Sequence, residues 1–324
     1  MTPWLRKHAA DYDAIIVNGL WNYSVFGASR ILPEKNTPYF VFTHGMLDPW
    51  FRRTYPLKHA AKQLFWLIGE GRLLENAISV LFTTEDERRL AKNQFVGHTY
   101  QETVVGYGTS ASPPLKASMT HAFGEAVPGL AGHPYLLFLS RIHEKKGCDI
   151  LITAFAQAAL HDSNLHLVMA GNGDPLLVRA LKDLAQGLGL GDRIHWPGLI
   201  QGDVKWGALY GADAFILSSH QENFGVAVAE ALACRKPVLI SDKVNIWREV
   251  AEANAGLVQA DTVEGTAAMI SQWLEKSDAD RTAMGIAGGA LFSRSFDIAN
   301  VGPALIRMIE SRIYGPISAG NSPI

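Results

Sequence analysis

Two carboxylates, Glu222 and Glu230, stand in "SSHQENFGVAVAEALA" around a Phe224-Gly225-Val226 run that reads as the start of a helix. A helix start has free N–H groups and partial positive charge, so it attracts anions. Gly225 has no Cβ and lets backbone approach a ligand closely. An ionised carboxylate only accepts hydrogen bonds and takes two hydroxyl donors at once. Two acids beside an anion site therefore suit a ligand with vicinal hydroxyls at both ends and phosphate between them. A nucleotide sugar has that layout: ribose diol, diphosphate, sugar polyol. The plainer alternative makes both acids solvated helix-cap and surface residues.

A diphosphate needs cations, and "LSRIHEKKGCDIL" offers Arg141, Lys145 and Lys146 at the end of an apolar run. Arg grips phosphate as a planar fork and Lys as a point charge. Arg141 and Lys146 are placed for this, while Lys145 reads equally as a solvated loop charge. "MAGNGDPLL" adds a loop at Gly171-Asn172-Gly173 suited to backbone contact with a base. It is neither GxGxxG nor GxxxxGK[ST], which argues against dinucleotide redox and NTPase chemistry. In "YFVFTHGMLDPW", His44-Gly45 sits at a strand end, where an imidazole can bond a sugar hydroxyl or steady a reacting centre. In "FTTEDE", Thr84 and Glu87 have the spacing of a capped helix start, a structural feature.

These residues need a scaffold that gathers strand ends. From 134 onward, "YLLFLS", "LHLVMAG", "RIHW", "ADAFILSS", "KPVLISD" and "AGLV" read as strands. Between them "CDILITAFAQAAL", "DPLLVRALKDLAQGLG", "VKWGALYG", "FGVAVAEALAC" and "NIWREVAEA" have helical periodicity. Apolar strands alternating with helices predict a parallel sheet covered on both faces, and right-handed crossovers make it Rossmann-like. The first part repeats the pattern with strands at "DAIIVNG", "PYFVFTHG", "AISVLFTT" and "ETVVGYG", and helices over 51–75 and 85–93. The expected class is α/β, two Rossmann-like domains facing a cleft, with ligands at the strands' carboxyl ends. The expected division is a partial first domain over 1–115, a Gly/Pro/Ser/Ala-rich linker over 116–133 and a nucleotide-sugar domain over 134–295. A helix over 296–314 is expected to pack back toward the first domain, leaving a tail over 315–324.

Composition bounds the rest. The 324 residues are 48% hydrophobic and 19% charged, with net charge −2. That is the balance of a globular chain of about two domains and gives no footing for nucleic-acid binding. No apolar run nears the roughly 18 residues of a membrane span, and the start lacks a signal-peptide pattern, so the expected location is cytoplasmic. Cys148 and Cys234 form no CxxC pair or zinc cluster and read as small core residues. The charge is uneven: residues 1–120 hold 13 Lys/Arg against 10 Asp/Glu, and the remainder 16 against 21. The positive excess collects in 50–68, "WFRRTYPLKHAAKQLFWLI", where Arg52, Arg53, Lys58 and Lys62 interleave with aromatics and no acid occurs. Such a stretch can lie on the anionic inner face of the cytoplasmic membrane. It also reads as an ordinary amphipathic helix packed on a sheet.

Taken together, these segments resemble the retaining, GT-B-fold glycosyltransferases of family 4. The resemblance is carried by the E-x7-E motif from Glu222 to Glu230, by "SRIHEKKG", "GNGD" and "PGLI", and by "THGMLDPW", in the family's order over nearly the whole chain. It is particularly similar to bacterial members that build surface polysaccharides and lipopolysaccharides. The resemblance implies that Arg141 and Lys146 bind the donor diphosphate and that Glu222 contacts hydroxyls of the transferred sugar. The amides of Phe224, Gly225 and Val226, with Asn223 beside them, would meet sugar and phosphates, and Glu230 would hold the ribose. The loops at Gly171-Asn172 and Leu199-Ile200 would border the base, and His44 would lie near the reacting carbon. His44 and Glu222 are thus the candidate catalytic residues. No metal or other cofactor is implied, because cations and a helix dipole offset the leaving group's charge. The acceptor would be a saccharide or a lipid-linked one, and a donor phosphate oxygen would take its proton.

Three departures from the family pattern stand out. Ser218 occupies a usual Pro position, and Arg235 a usual turn Gly, which at positive φ costs about 1 kcal/mol or more. The chain opens near "YDAIIVNG", which resembles a later strand of the family's first domain, so that domain is expected to lack its opening strands. A second reading follows: a catalytically impaired remnant or subunit that binds nucleotide sugar without turnover. A third, a sugar-nucleotide epimerase on a similar scaffold, is opposed by the E-x7-E signature.

Overall fold

Four short apolar runs pair side by side in chain order: β1 (Ile15–Asn18), β2 (Tyr39–Phe42), β3 (Ser79–Phe82) and β4 (Glu102–Val104). They form a parallel sheet of order β1-β2-β3-β4. Alternate side chains leave a strand on opposite faces, and here each set has its own cover. Tyr39, Val41, Val80 and Phe82 pack with Val25, Leu32, Leu73 and Leu74, whereas Phe40, Phe42 and Leu81 pack under Leu305, Met308 and Ile309 of the helix Ile298–Tyr314. This computed structural model describes residues 1–158, 160 and 162–315, so the expected tail lies, beyond Gly315, outside the described residues. Contacts divide the chain into two units, one of 1–107 with the segment from 301, the other of 108–300.

The helical pattern expected over 51–75 is broken into Pro49–Thr54, Pro56–Phe65, a π-turn Trp66–Glu70 and Gly71–Glu75. Pro56 explains the first break: it disfavours helical backbone in the residue before it, and Tyr55 sits at φ −131°.

The second unit holds β5 (Tyr135–Leu139), β6 (His166–Ala170), β7 (Ile194–Gly198), β8 (Ala214–Leu217), β9 (Val238–Ser241) and β10 (Gly256–Gln259). All pair in parallel in the order β10-β9-β8-β5-β6-β7. The four inner strands are buried throughout, which is why they read as unbroken apolar runs. The chain builds outward from β5 in one direction, then returns to start β8 on β5's other side. That reversal is the topological switch point, the place at which open α/β sheets bind ligands beyond the carboxyl ends of their strands. The stretch read as a linker carries the helix Ala117–Ala126, which packs on Gly202–Gly211 so closely that a Cβ at Gly207 would overlap the Met119 carbonyl. Cys148 and Cys234 are free and buried, and burial pushes their thiols up to about 12 and about 11. No helix among the described residues is long and apolar enough to cross a membrane.

Candidate functional site

The two strands flanking the switch point end at Leu139 and Leu217, and the loops that follow them carry the candidate residues. The loops are tied backbone to backbone. The His220 N–H donates to the Lys145 carbonyl at 2.8 Å, and the Ser219 hydroxyl donates to the same carbonyl at 3.0 Å. Gly147, at φ +59°, lets them meet, because a Cβ there would overlap the Ser218 carbonyl oxygen. Glu222 is pinned on its other side as well: its N–H donates to the Lys243 carbonyl and its carbonyl accepts from the Asn245 N–H, both at 3.0 Å. A fixed backbone leaves the Glu222 side chain to a defined position.

That side chain forms an ion pair with Lys146, whose ammonium is nearly inaccessible at 6% residue exposure. An ammonium taken out of water without a partner costs several kcal/mol, so half-buried Glu222 serves as the counter-charge of buried Lys146. Beside it Gly225, at φ +78°, starts the helix Val226–Ala233 without any side-chain cap on its first N–H groups. Phe224 is buried edge-on against Phe296, centroids 5.3 Å apart, and anchors the turn. Asn223 lies against Asn245. Within the helix Glu230 accepts from the Lys205 ammonium at 2.8 Å, and that ammonium lies 4.1 Å from the Trp206 ring centroid. Arg141 is exposed. Burial first, then the charges of Arg141 and Lys145, pushes the His143 imidazole below its usual range.

The neighbouring loops close the same edge. Gly171, at φ +148°, abuts the Ser140 carbonyl where any Cβ would overlap it, and the Ile142 N–H donates to the Asn172 carbonyl at 2.8 Å. Asn172 is exposed. Of the next loop's pair, Leu199 is 60% exposed and Ile200 is buried. The structure thus gathers Arg141, Lys146, Gly171, Asn172, Glu222, Gly225 and Glu230 at the carboxyl edge of one sheet. Sequence reasoning missed Lys205, whose distance from Glu230 along the chain follows no local spacing. It also missed Gln221, buried with its Oε1 unpartnered among the described residues.

His44 belongs to the first unit, just beyond β2, at a left-handed φ of +47°. Its ring stacks on Phe42 at 5.2 Å and its Nε2 lies 2.9 Å from the Asn18 Oδ1. Burial lowers its pKa, opposed by the charge of Glu87, so it is held neutral at physiological pH. The loop's posture comes from Glu87, which accepts from the Thr43 hydroxyl, the Gly45 N–H, and both the N–H and hydroxyl of Thr83 at 2.6–2.7 Å. Thr84 does cap the helix, accepting from the Glu87 N–H at 3.0 Å. The Glu87 carboxylate, however, serves the loops after β2 and β3.

A family model described as "Glycosyl transferases group 1" matches residues 126–288, and a "Glycosyl transferase 4-like domain" matches 1–108. The chain is 27% identical over 202 residues to a D-inositol 3-phosphate glycosyltransferase of Geodermatophilus obscurus, covering 59% of this chain and 44% of that one. It is 26% identical over 264 residues to a phosphatidyl-myo-inositol mannosyltransferase of Mycobacterium leprae, covering 74% and 68%. The chain spans about half the length of the inositol 3-phosphate glycosyltransferases it matches. Among solved structures, Anabaena Alr3699/HepE in complex with UDP and glucose shares the fold at a TM-score of 0.77 and 17% identity, covering 96% of this chain and 81% of that one. With one family model spanning half its length and two parallel α/β units of GT-B type, the chain belongs to the group 1 glycosyl transferases, the family 4 glycosyltransferases.

Proposed function

We propose that this chain transfers a sugar from a UDP- or GDP-sugar to a saccharide or lipid-linked acceptor, with retention and without a metal, in surface-polysaccharide or lipopolysaccharide assembly. One observation carries the reading: the pair of buried Lys146 and half-buried Glu222 beside the uncapped helix start at Gly225, at the switch point of the second sheet. The donor diphosphate would draw Lys146 and Arg141, and the helix N–H groups would offset its charge. Glu222 would then accept from hydroxyls of the transferred sugar and Glu230 from the ribose diol. As the bond from the anomeric carbon to the diphosphate breaks, the acceptor oxygen bonds that carbon on the same face. The departing phosphate oxygen takes the acceptor's proton, and neutral His44 steadies the reacting centre. HepE, which shares the fold, has been solved with UDP and with UDP-glucose. The basic, aromatic segment 50–68 would rest on an anionic membrane face.

Calorimetry with UDP- and GDP-sugars, run beside a turnover assay, tests the reading. Glu230→Ala should weaken donor binding by about 1–3 kcal/mol, as a pair of hydroxyl contacts is lost. Unchanged affinity would remove the ribose assignment, and no binding of any nucleotide sugar would remove the reading as a whole. Turnover should persist in EDTA and give a product with the donor's anomeric configuration.

A further inference from the structure

In the first unit a cavity of about 470 Å³ opens between the helix Tyr23–Ser29, which follows β1, and the helix Pro56–Phe65. Trp21, Phe26 and Phe65 line it, together with Lys58, Lys62 and Glu70. Trp21 holds a left-handed φ of +60°, a conformation that persists only where the surroundings impose it. Its N–H donates to Glu70 Oε1 at 2.8 Å. The other carboxylate oxygen, Glu70 Oε2, and the Trp21 indole N–H are both buried without a hydrogen-bond partner among the described residues. Glu70 itself is only 5% exposed. Lys62 Nζ lies 4.9 Å from the Trp21 ring centroid. Burial raises the Glu70 pKa and lowers that of Lys62, although the two charges attract. Unsatisfied buried donors and acceptors that share a cavity with a strained residue call for an explanation, and a ligand supplies one.

Each feature specifies a part of that ligand. The vacant carboxylate oxygen asks for a hydroxyl and the indole N–H for an oxygen. Aromatic walls suit the C–H face of a pyranose, and two ammonium groups suit an anion. We propose that this cavity binds a phosphate-bearing sugar, with sugar hydroxyls on Glu70 and Trp21 and the phosphate on Lys58 and Lys62. That this sugar phosphate is the acceptor rests on the glycosyltransferase reading; its binding does not. A free sugar phosphate and the headgroup of a lipid-linked one share this chemistry.

The test is calorimetry on the whole chain with UDP or GDP, whichever binds, in excess to occupy the donor site. The probes are the 1-phosphates of glucose, galactose, mannose and N-acetylglucosamine, with the parent sugars and inorganic phosphate as references. At least one sugar phosphate should bind about tenfold or more tightly than its sugar or phosphate alone. Lys62→Gln and Glu70→Gln should each weaken it about tenfold, with the affinity for that nucleotide unchanged as the sign of an intact fold. No binding by any of the four, or binding indifferent to both substitutions, would overturn the proposal. If neither UDP nor GDP binds, the glycosyltransferase reading falls while the two substitutions, checked for an intact fold by melting temperature, still decide the cavity. The best sugar phosphate is then repeated with a farnesyl tail in detergent micelles. Tighter binding would support the headgroup assignment with a lipid-linked source, and equal binding would support it with a soluble one.

Discussion

Glu87 places four hydrogen bonds on two oxygens, and no neutral side chain can repeat them. Glu87→Gln keeps one acceptor oxygen and turns an NH2 group toward donors, leaving buried N–H and hydroxyl groups unpaired. The expected loss is about 2–3 kcal/mol in urea unfolding; a loss below about 1 kcal/mol would show that the His44 loop holds without it. Sequence spacing hid this role, since a Glu three positions after a Thr looks like a local cap, and its partners Thr43 and Gly45 are distant in sequence. The strand-end placement of Arg141, Lys146 and Glu222 was legible because each follows an apolar strand, but the direct Lys146–Glu222 pair was not. The histidines were not legible either. His133, His166 and His195 stack with centroids 4.3 and 5.1 Å apart, and His166 Nδ1 lies 2.8 Å from His195 Nε2. Burial first, then the charges of His133, His195 and Arg193, lowers His166 to about 4. Its unfolded value is about 6.5, so below that pH the unfolded chain binds more protons. Stability should therefore be full above about pH 6.5 and fall as pH drops toward about 4. Between about pH 7.5 and about pH 5, the parent's melting temperature should fall further than that of His166→Gln. Equal falls would remove the stack as the cause.

The turn after the helix Val226–Ala233 shows how one element constrains the next. Arg235 sits at φ +55°, the left-handed backbone that favours Gly. Arg235→Gly should raise stability by about 1 kcal/mol, read as a higher urea midpoint at constant slope. A lower midpoint would mean that the arginine's own packing, which lies along Gly289, outweighs the strain. The helix Asp278–Leu291 approaches this turn so closely that a Cβ at Gly285 would overlap the Arg235 carbonyl oxygen. Gly285→Ala should thus cost about 1–3 kcal/mol of overpacking, against a helix-propensity gain of about 1 kcal/mol. A net stabilisation would show that the two elements can part freely. Inner strands were readable because burial on both faces demands continuous apolar residues. The helix Ala117–Ala126 was not, because it buries only Met119 and Phe123 and its flanks are rich in Gly, Pro and Ser. Pro56 and the π-turn at Trp66–Glu70 likewise interrupt a pattern that periodicity alone presents as continuous.

For the whole molecule, a net charge of −2 hides a first part that is positive and a remainder that is negative. Periodicity could not say whether segment 50–68 faces a sheet or a membrane, since both need one apolar side. None of the ten residues of the helix Pro56–Phe65 is buried, and Leu57, Leu64, Phe65 and Ile68 are all more than half exposed. An apolar set that covers no core, next to Arg52, Arg53 and Lys58, supports the proposed contact with anionic lipid. Each basic residue near such a surface contributes about 1 kcal/mol. Arg52→Gln, Arg53→Gln and Lys58→Gln combined should then weaken co-sedimentation with anionic vesicles by about 3 kcal/mol, roughly a hundredfold. Raising salt to about 1 M, where screening acts within about 3 Å, should do the same to the parent chain. Neutral vesicles separate the two contributions, because only the apolar residues act there. Binding to anionic vesicles that ignores both salt and the triple substitution would assign adsorption to the apolar side chains alone. Failure to bind anionic vesicles at low salt would mean that this face serves something other than lipid.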